Sequence, residues 1–413
     1  MKKFTRKEWS FVSVAALFSM LAAASAMAQF VPPRPPVPPL PPVPITIAPQ
    51  GFGGPLAGLT REQLDAFNAG RFEFTKIETP EGGLGPIFNG RSCVECHTAP
   101  AVGGGSNIRV TRFGRNADGV FDALESQGGS LLQRFAINPQ LQEVIPHDAN
   151  TISQRLSTPL FGLGLIEAIP DTAILQNMLA AKPDGVRGRA AEITDVVSGQ
   201  KRIGRFGWKA QQATLLAISA DAYLNEMGIT NRFFPTENAP NGNEALLARF
   251  KRTTDPEDEV DAVTGKGDID LVADFMRLLA PPTRLAVTPQ ASVGESLFSQ
   301  VGCTACHTPS LRTGPHPVAA LDRKTVNLYS DLLLHDMGAL NDGIAQANAT
   351  TREMKTPPLW GLRARGPFLH DGRATTLDAA IRAHDGEGAL ARDRYIGMTP
   401  QLRRNLMEFL GTL

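Results

Sequence analysis

Cysteine is scarce in this chain: there are four in 413 residues. That is too few for a fold held by a dense disulfide framework. An excess of charge of either sign is also missing, because 41 Lys and Arg balance 41 Asp and Glu. This balance excludes the basic footprint of a nucleic-acid or anionic-membrane binder. Beyond the first 28 residues no apolar run reaches the ~20 residues that span a bilayer. Strand signals, alternating apolar and polar residues between turns, are sparse. A chain of this length and ordinary composition still has room for two or more domains, each with a core of its own.

The N-terminus carries an export signal. Lys2, Lys3, Arg6 and Lys7 precede an apolar stretch from Phe11 to Ala24, and Ala26-Met27-Ala28 has the small-x-small form of a cleavage site. Residues 1–28 are read as a signal peptide. Its removal leaves 37 basic against 40 acidic residues, a net charge of −3. The expected location is an oxidising compartment, the periplasm of a bacterium. Residues 29–55 read as a linker, since 31–44 are mostly proline and favour a stiff polyproline II spacer.

From residue 56 onward the same order of features occurs twice. The first pass has a helix-like stretch from Thr60, Cys93-Val-Glu-Cys-His97, Thr158-Pro-Leu-Phe-Gly-Leu163 and an amphipathic stretch from Asp268 to Leu279. The second has a helix capped by Thr288-Pro289, Cys303-Thr-Ala-Cys-His307, Thr356-Pro-Pro-Leu-Trp-Gly-Leu362 and a last helix from Thr399 to Leu410. Four elements in one order indicate a duplication. The expectation is a mainly α protein with long loops, two cytochrome-c-like domains in tandem. The first, 56–282, is enlarged by insertions between Asn107 and Asn150 and between Pro183 and Pro256; the second is 286–413.

The cysteines explain the duplication. In Cys-x-x-Cys-His, two thiols can form thioethers with porphyrin vinyl groups while the adjacent imidazole binds iron on one face. Paired zinc ligands normally lie ~15–20 residues apart, whereas these pairs are 210 apart. The motifs therefore predict two covalently bound haem c groups, on Cys93, Cys96 and His97 and on Cys303, Cys306 and His307. Whether each iron's sixth position is closed decides between electron carriage and chemistry on a small oxidant. Five further histidines, His147, His316, His335, His370 and His384, are available.

The run from Lys355 to Ile381, including Phe368-Leu-His-Asp-Gly372, resembles the second haem domain of bacterial di-haem cytochrome c peroxidases. Together with Phe88-Asn-Gly-Arg-Ser-Cys, Gly162-Leu-Gly-Leu-Ile-Glu-Ala-Ile-Pro170, Arg205-Phe-Gly-Trp-Lys-Ala210, Ala222-Tyr-Leu-Asn-Glu-Met-Gly228 and Asp331-Leu-Leu-Leu-His-Asp-Met-Gly338, it makes residues 60–413 resemble a family of di-haem oxidoreductases related to those peroxidases. The resemblance implies that electrons from a small donor, a cytochrome c or a cupredoxin, enter at the second haem, and that hydrogen peroxide or an organic substrate reacts at the first. It also implies that His384, fourteen residues after His370, is the second iron's distal ligand. Met337 is the rival thioether ligand, and His335 stands behind it.

For the first haem the loop Gly103-Gly104-Gly105 offers no side chain, so its sixth position is read as open, with His147 as an outside candidate ligand. The peroxidase resemblance calls for a glutamate that moves protons there, and Glu167 is nominated. Trp208 is a candidate bridge for electrons between the haems, and Arg205 and Lys209 are candidate partners of haem propionates. A plain di-haem electron carrier is the alternative.

Overall fold

The computed structural model describes residues 51–250, 260–262 and 264–413. The expected leader, and all of the proline-rich linker up to residue 50, lie outside them. The four expected helices are found, starting at Arg61, Asp268, Pro289 and Pro400, and a fifth, Leu215–Met227, is one that the sequence does not announce. Helix α1, Arg61–Thr75, starts from a reciprocal capping box between Thr60 and Gln63. Helix α2, Leu215–Met227, is capped by Thr214 and ends at left-handed Gly228. Helix α3 spans Asp268–Leu278. Helices α4, Pro289–Gln300, and α5, Pro400–Leu410, each have a threonine N-cap followed by proline, whose missing N–H costs nothing in a first turn.

The duplication is visible in packing. Helix α1 crosses α3, and α4 crosses α5, each at a glycine. A Cβ on Gly70 would land on the carbonyl of Leu271, and one on Gly294 on the carbonyl of Asn405. Four residues beyond each glycine sits a phenylalanine that meets another across the crossing. Phe74 and Phe275 have ring centroids 4.9 Å apart, and Phe298 and Phe409 5.3 Å apart. Each Thr-Pro loop then ties to the end of its partner helix: the amide of Gly162 donates to Leu279 at 3.1 Å and that of Gly361 to Leu413 at 3.0 Å. Both glycines have positive φ, 71° and 79°, so the turn itself requires them.

The expectation of a mainly helical protein holds only loosely. Several small antiparallel sheets occur, and the largest falls in the first insertion. Its central strand, β1, is Arg109–Ala117. It pairs with β2, Thr151–Leu156, over six residues from Arg109 opposite Leu156 to Gly114 opposite Thr151. A hairpin of Ala191–Thr194 with Lys201–Gly204 lies in the second insertion. The largest buried apolar cluster draws mostly on residues 52–279 and takes in Leu321 to Leu333 and Trp360; another lies within 291–413. Buried charge joins them. Asp342 accepts from Arg155 at 2.7 Å and pairs with Lys209 at 2.8 Å, and the two cations overcome burial to keep its carboxyl below the usual range.

Candidate functional site

Both Cys-x-x-Cys-His segments fold as a single tight turn. The amide of His97 donates to Cys93 at 3.0 Å and that of His307 to Cys303 at 2.9 Å, so each imidazole is thrown to the same side as its cysteines. No disulfide joins the four cysteines. In each turn the imidazole Nδ1 lies 3.0 Å from a backbone carbonyl, Gly104 for His97 and Tyr329 for His307. That bond assigns the proton to Nδ1 and leaves the Nε2 lone pair for a metal. Burial pushes both imidazoles down to about 4, so both are neutral at neutral pH. A phenylalanine from the preceding helix flanks each ring: Phe74 to His97 and Phe298 to His307, both at 6.2 Å. The glycine loop therefore serves the His97 side. Gly104 receives its proton, and a side chain there would collide with Ala99.

A large, mostly apolar cavity opens beside His307. Cys303, Cys306, Phe298, Met337 and His384 are among the residues of its wall. His384 follows the short helix Leu377–Arg382, which Thr376 caps. Its Nδ1 lies 2.9 Å from the carbonyl of Ala380, so its Nε2 is also free. The centroids of the His307 and His384 rings are 6.4 Å apart. Two imidazoles bound through Nε2 to opposite sides of one metal, at about 2.0 Å each, would stand roughly 6.3 Å apart. The residues present thus fit a flat metal cofactor held between His307 and His384. Met337 lines the same cavity.

The other histidines are differently employed. His335 is buried between Asp331 at 3.0 Å and Glu387 at 2.7 Å. Burial opposes its charge, but hydrogen bonds to Asp331, Cys306 and Glu387 raise it well above 6.5, which makes it a cation and a poor iron ligand. His147 is fully exposed beside Asp148. His316 accepts the amide of Val318 through Nδ1. His370 is buried, with Nε2 unpartnered among the described residues, and burial pushes it down to about 4.

Glu167 spends both carboxylate oxygens on protein partners. Oε1 accepts the amide of Leu215 at 2.7 Å, at the start of α2, and Oε2 pairs with Arg277 at 2.8 Å. Arg205 and Lys209 are fully buried and committed too. The first donates to the carbonyls of Ile166 and Ile169 and pairs with Asp171; the second pairs with Asp342. Neither is left over for a propionate. Trp208 donates its indole N–H to the carbonyl of Leu156 at 2.8 Å and meets the His370 ring edge-on at 6.2 Å. It is common to the walls of the main cavity and of two smaller ones beside it.

Three carboxyls desolvated by the fold, one of them acting on Cys96, have no warning in the sequence. Burial pushes the carboxyls of Asp221, Glu226 and Glu143 up, with Arg112 opposing it at the first two. Burial, then Glu226, raises the Cys96 thiol to about 12. Glu143 accepts the amides of Gln133 at 2.8 Å and Asn241 at 3.0 Å. Gln133 reaches the carbonyl of Asn225, next to Glu226. Asp221 and Glu226 come from α2, and Glu143 from the loop that follows the single turn Pro139–Leu141. A different cluster, Glu73, Glu78 and Asp268, surrounds the ammonium of Lys76, which lies 3.0–3.1 Å from each.

Residues 138–413 match the family model described as "Di-haem oxidoreductase, putative peroxidase". The chain belongs to this family. A di-haem oxidoreductase binds two haems, and two imidazole-bearing Cys-x-x-Cys-His turns with the same Nδ1 arrangement are present to receive them. Among curated proteins this di-haem oxidoreductase is 29% identical over 161 residues to the methylamine utilization protein MauG of Methylorubrum extorquens, 34% of this chain and 42% of that one. It is 24% identical over 157 residues to the cytochrome-c peroxidase IdrP1 of Denitromonas iodatirespirans, 32% of this chain and 42% of that one. Each match thus spans about two-fifths of the relative. Among solved structures it aligns with a MauG-like protein associated with microbial copper homeostasis at 17% identity and TM-score 0.39, over 89% of this chain and 94% of that one. It aligns with Kuenenia stuttgartiensis hydrazine synthase at 17% identity and TM-score 0.40, over 92% and 100%. No helix among the described residues is long and apolar enough to cross a membrane.

Proposed function

We propose that the chain is a periplasmic di-haem c-type cytochrome with peroxidase-type activity, its two haem domains spanning 56–282 and 286–413. Cys93 and Cys96 tether the first haem and His97 binds its iron; Cys303, Cys306 and His307 do the same for the second. The observation that carries this reading is the pair of matched imidazoles, each with Nδ1 given to a backbone carbonyl, beside two cysteines that form no disulfide. When bound, haem supplies an iron that passes electrons and, where a coordination position is open, takes up peroxide.

The residues divide the work. His384 closes the second site opposite His307, which suits it to receive electrons from a small cytochrome c or cupredoxin. Trp208, common to the cavity walls between the halves, carries electrons toward the first site. There a carboxyl group moves the proton that peroxide cleavage requires. Glu167 is one candidate, but it must first be released by Arg277. Glu143 is the other: it is buried, its affinity for a proton is raised, it accepts the amides of Gln133 and Asn241, and Gln133 links it to Asn225, next to the Glu226 that acts on Cys96. A Glu167 that stays locked would favour the second reading, a di-haem carrier without catalysis, unless Glu143 acts.

An anaerobic peroxide titration followed by optical and electron spin resonance spectra tests the assignment. The expected result is one high-spin haem that responds to peroxide and one low-spin bis-histidine haem. Two low-spin haems indifferent to peroxide at every redox poise would leave only the carrier. His384→Ala is expected to convert the second haem to a high-spin spectrum; an unchanged spectrum transfers the ligand role to Met337. Glu143→Gln and Glu167→Gln separate the two carboxylates, and the one that matters lowers peroxide turnover by about 10²–10⁴-fold.

A further inference from the structure

We propose that Lys355 and Arg365 form the carboxylate-binding end of the second haem site, holding the two haem propionates at the edge that faces the first site. The inference rests on the cofactor reading above and assigns residues that it leaves without a role.

Both side chains line the main cavity that holds His307 and His384. Among the described residues neither makes an ion pair, although the chain is rich in them, and nearly every other buried cation has its carboxylate. Arg155 and Lys209 share Asp342, Lys182 has Asp331, and Arg205 has Asp171. Lys355 is buried, and its ammonium has only the carbonyl of Thr356, at 3.4 Å. Burial lowers it to about 8, with Asp331 opposing weakly. Arg365 keeps some accessible surface, yet burial alone pushes its guanidinium down to about 10. The two facts agree if the surface it exposes is cavity wall and not bulk water. A buried ammonium and a guanidinium set in the cavity wall, both without counter-ions, are costly to maintain. They persist where an anion completes them, and a haem brings two carboxylates.

The placement fixes which end of the cavity this is. Trp208 and Arg365 belong to the walls of all three neighbouring cavities, and Lys355 to two of them. The cysteine end, with Gly302, Cys303, Cys306 and Asp184, belongs to the main cavity alone. In a porphyrin the vinyl-bearing and propionate-bearing edges lie apart. A haem tethered at Cys303 and Cys306 therefore directs its propionates away from the cysteines, to the shared end beside Trp208. There Arg365 offers a planar fork of donors matched to a carboxylate, and Lys355 a point charge. His370, buried with Nε2 unpartnered, lines the same cavity and can add a neutral hydrogen bond.

The test uses the mature holoprotein. Lys355→Met and Arg365→Met each remove a charge, and Lys355→Arg and Arg365→Lys keep it. Redox titration of each haem is read together with the propionate bending bands in resonance Raman spectra. An uncompensated propionate favours ferric iron, so each charge-removing variant is expected to lower the midpoint potential of the second haem and move its propionate band. The conservative variants restore both, and the first haem changes less. Lys355→Gln, which keeps a donor without charge, gives the same reading where Lys355→Met does not accumulate. If the variants carry two haems by pyridine haemochrome assay, and potentials and Raman bands match the parent, the carboxylate-binding role is overturned while the cofactor reading stands. A parent protein with no covalent haem overturns both.

Discussion

At the residue scale, one imidazole marks how far chemistry depends on neighbours. His335 is buried and His384 half-buried, and both line the cavity beside the second Cys-x-x-Cys-His turn. The structure separates them by what they touch. His335 lies between two carboxylates and is kept charged, whereas His384 hands its Nδ1 proton to a carbonyl and keeps a lone pair. The Asp331 side of that network has a measurable pH signature. Burial pushes the Asp331 carboxyl up, but His335 and Lys182 win and hold it at about 2. Its folded value is depressed, so its contribution is present above the unfolded value of about 3.9 and is lost as pH falls through about 2. Acid unfolding should therefore cost on the order of 2 kcal/mol through this group alone. Asp331→Asn is expected to lower stability at pH 6 and to flatten the loss between pH 4 and 2, as followed by circular dichroism. An acid profile with the parent's slope would show that the charge of Asp331 is not what titrates.

At the scale of elements, the helix crossings make a quantitative claim. Gly70 and Gly294 each lie where a methyl group would strike a carbonyl of the facing helix. Gly70→Ala and Gly294→Ala should each destabilise by ~1–3 kcal/mol, the range for overpacking a tight contact, and by similar amounts because the crossings match. Urea denaturation measures both; equal stability to the parent would mean the helices can slide apart freely. Much of this level was legible beforehand. Thr60, Thr288 and Thr399 announced three helix starts, and proline after the last two fixed their first turns. The two Thr-Pro loops announced the duplication. What escaped was the sheet around Arg109–Ala117. That strand is half-buried along much of its length and shows no clean alternation of inside and outside residues, so the usual period of two is absent. The desolvated carboxyls of Glu143 and Glu226 escaped for a related reason. Glu143 and Glu226 are 83 residues apart in the chain, and neither carries a local signal that the fold will desolvate it.

For the whole molecule, the two Cys-x-x-Cys-His turns lie in one compact body, and on the proposed reading each anchors its own haem. Replacing Cys303 and Cys306 together with serine is expected to yield a protein lighter by one haem, with the first motif still loaded. Intact-mass spectrometry and a haem-stained gel check this, and loss of both haems would mean that loading at one site depends on the other. A second feature acts at this scale through an ion that the protein never has to find. The ammonium of Lys76 sits among Glu73, Glu78 and Asp268 and pins the end of α1 to the start of α3. A divalent metal in that position would make the joint hostage to chelators and to whatever calcium the surroundings contain. A covalently attached cation cannot be stripped out, so this corner of the protein should hold equally well in EDTA and in millimolar calcium.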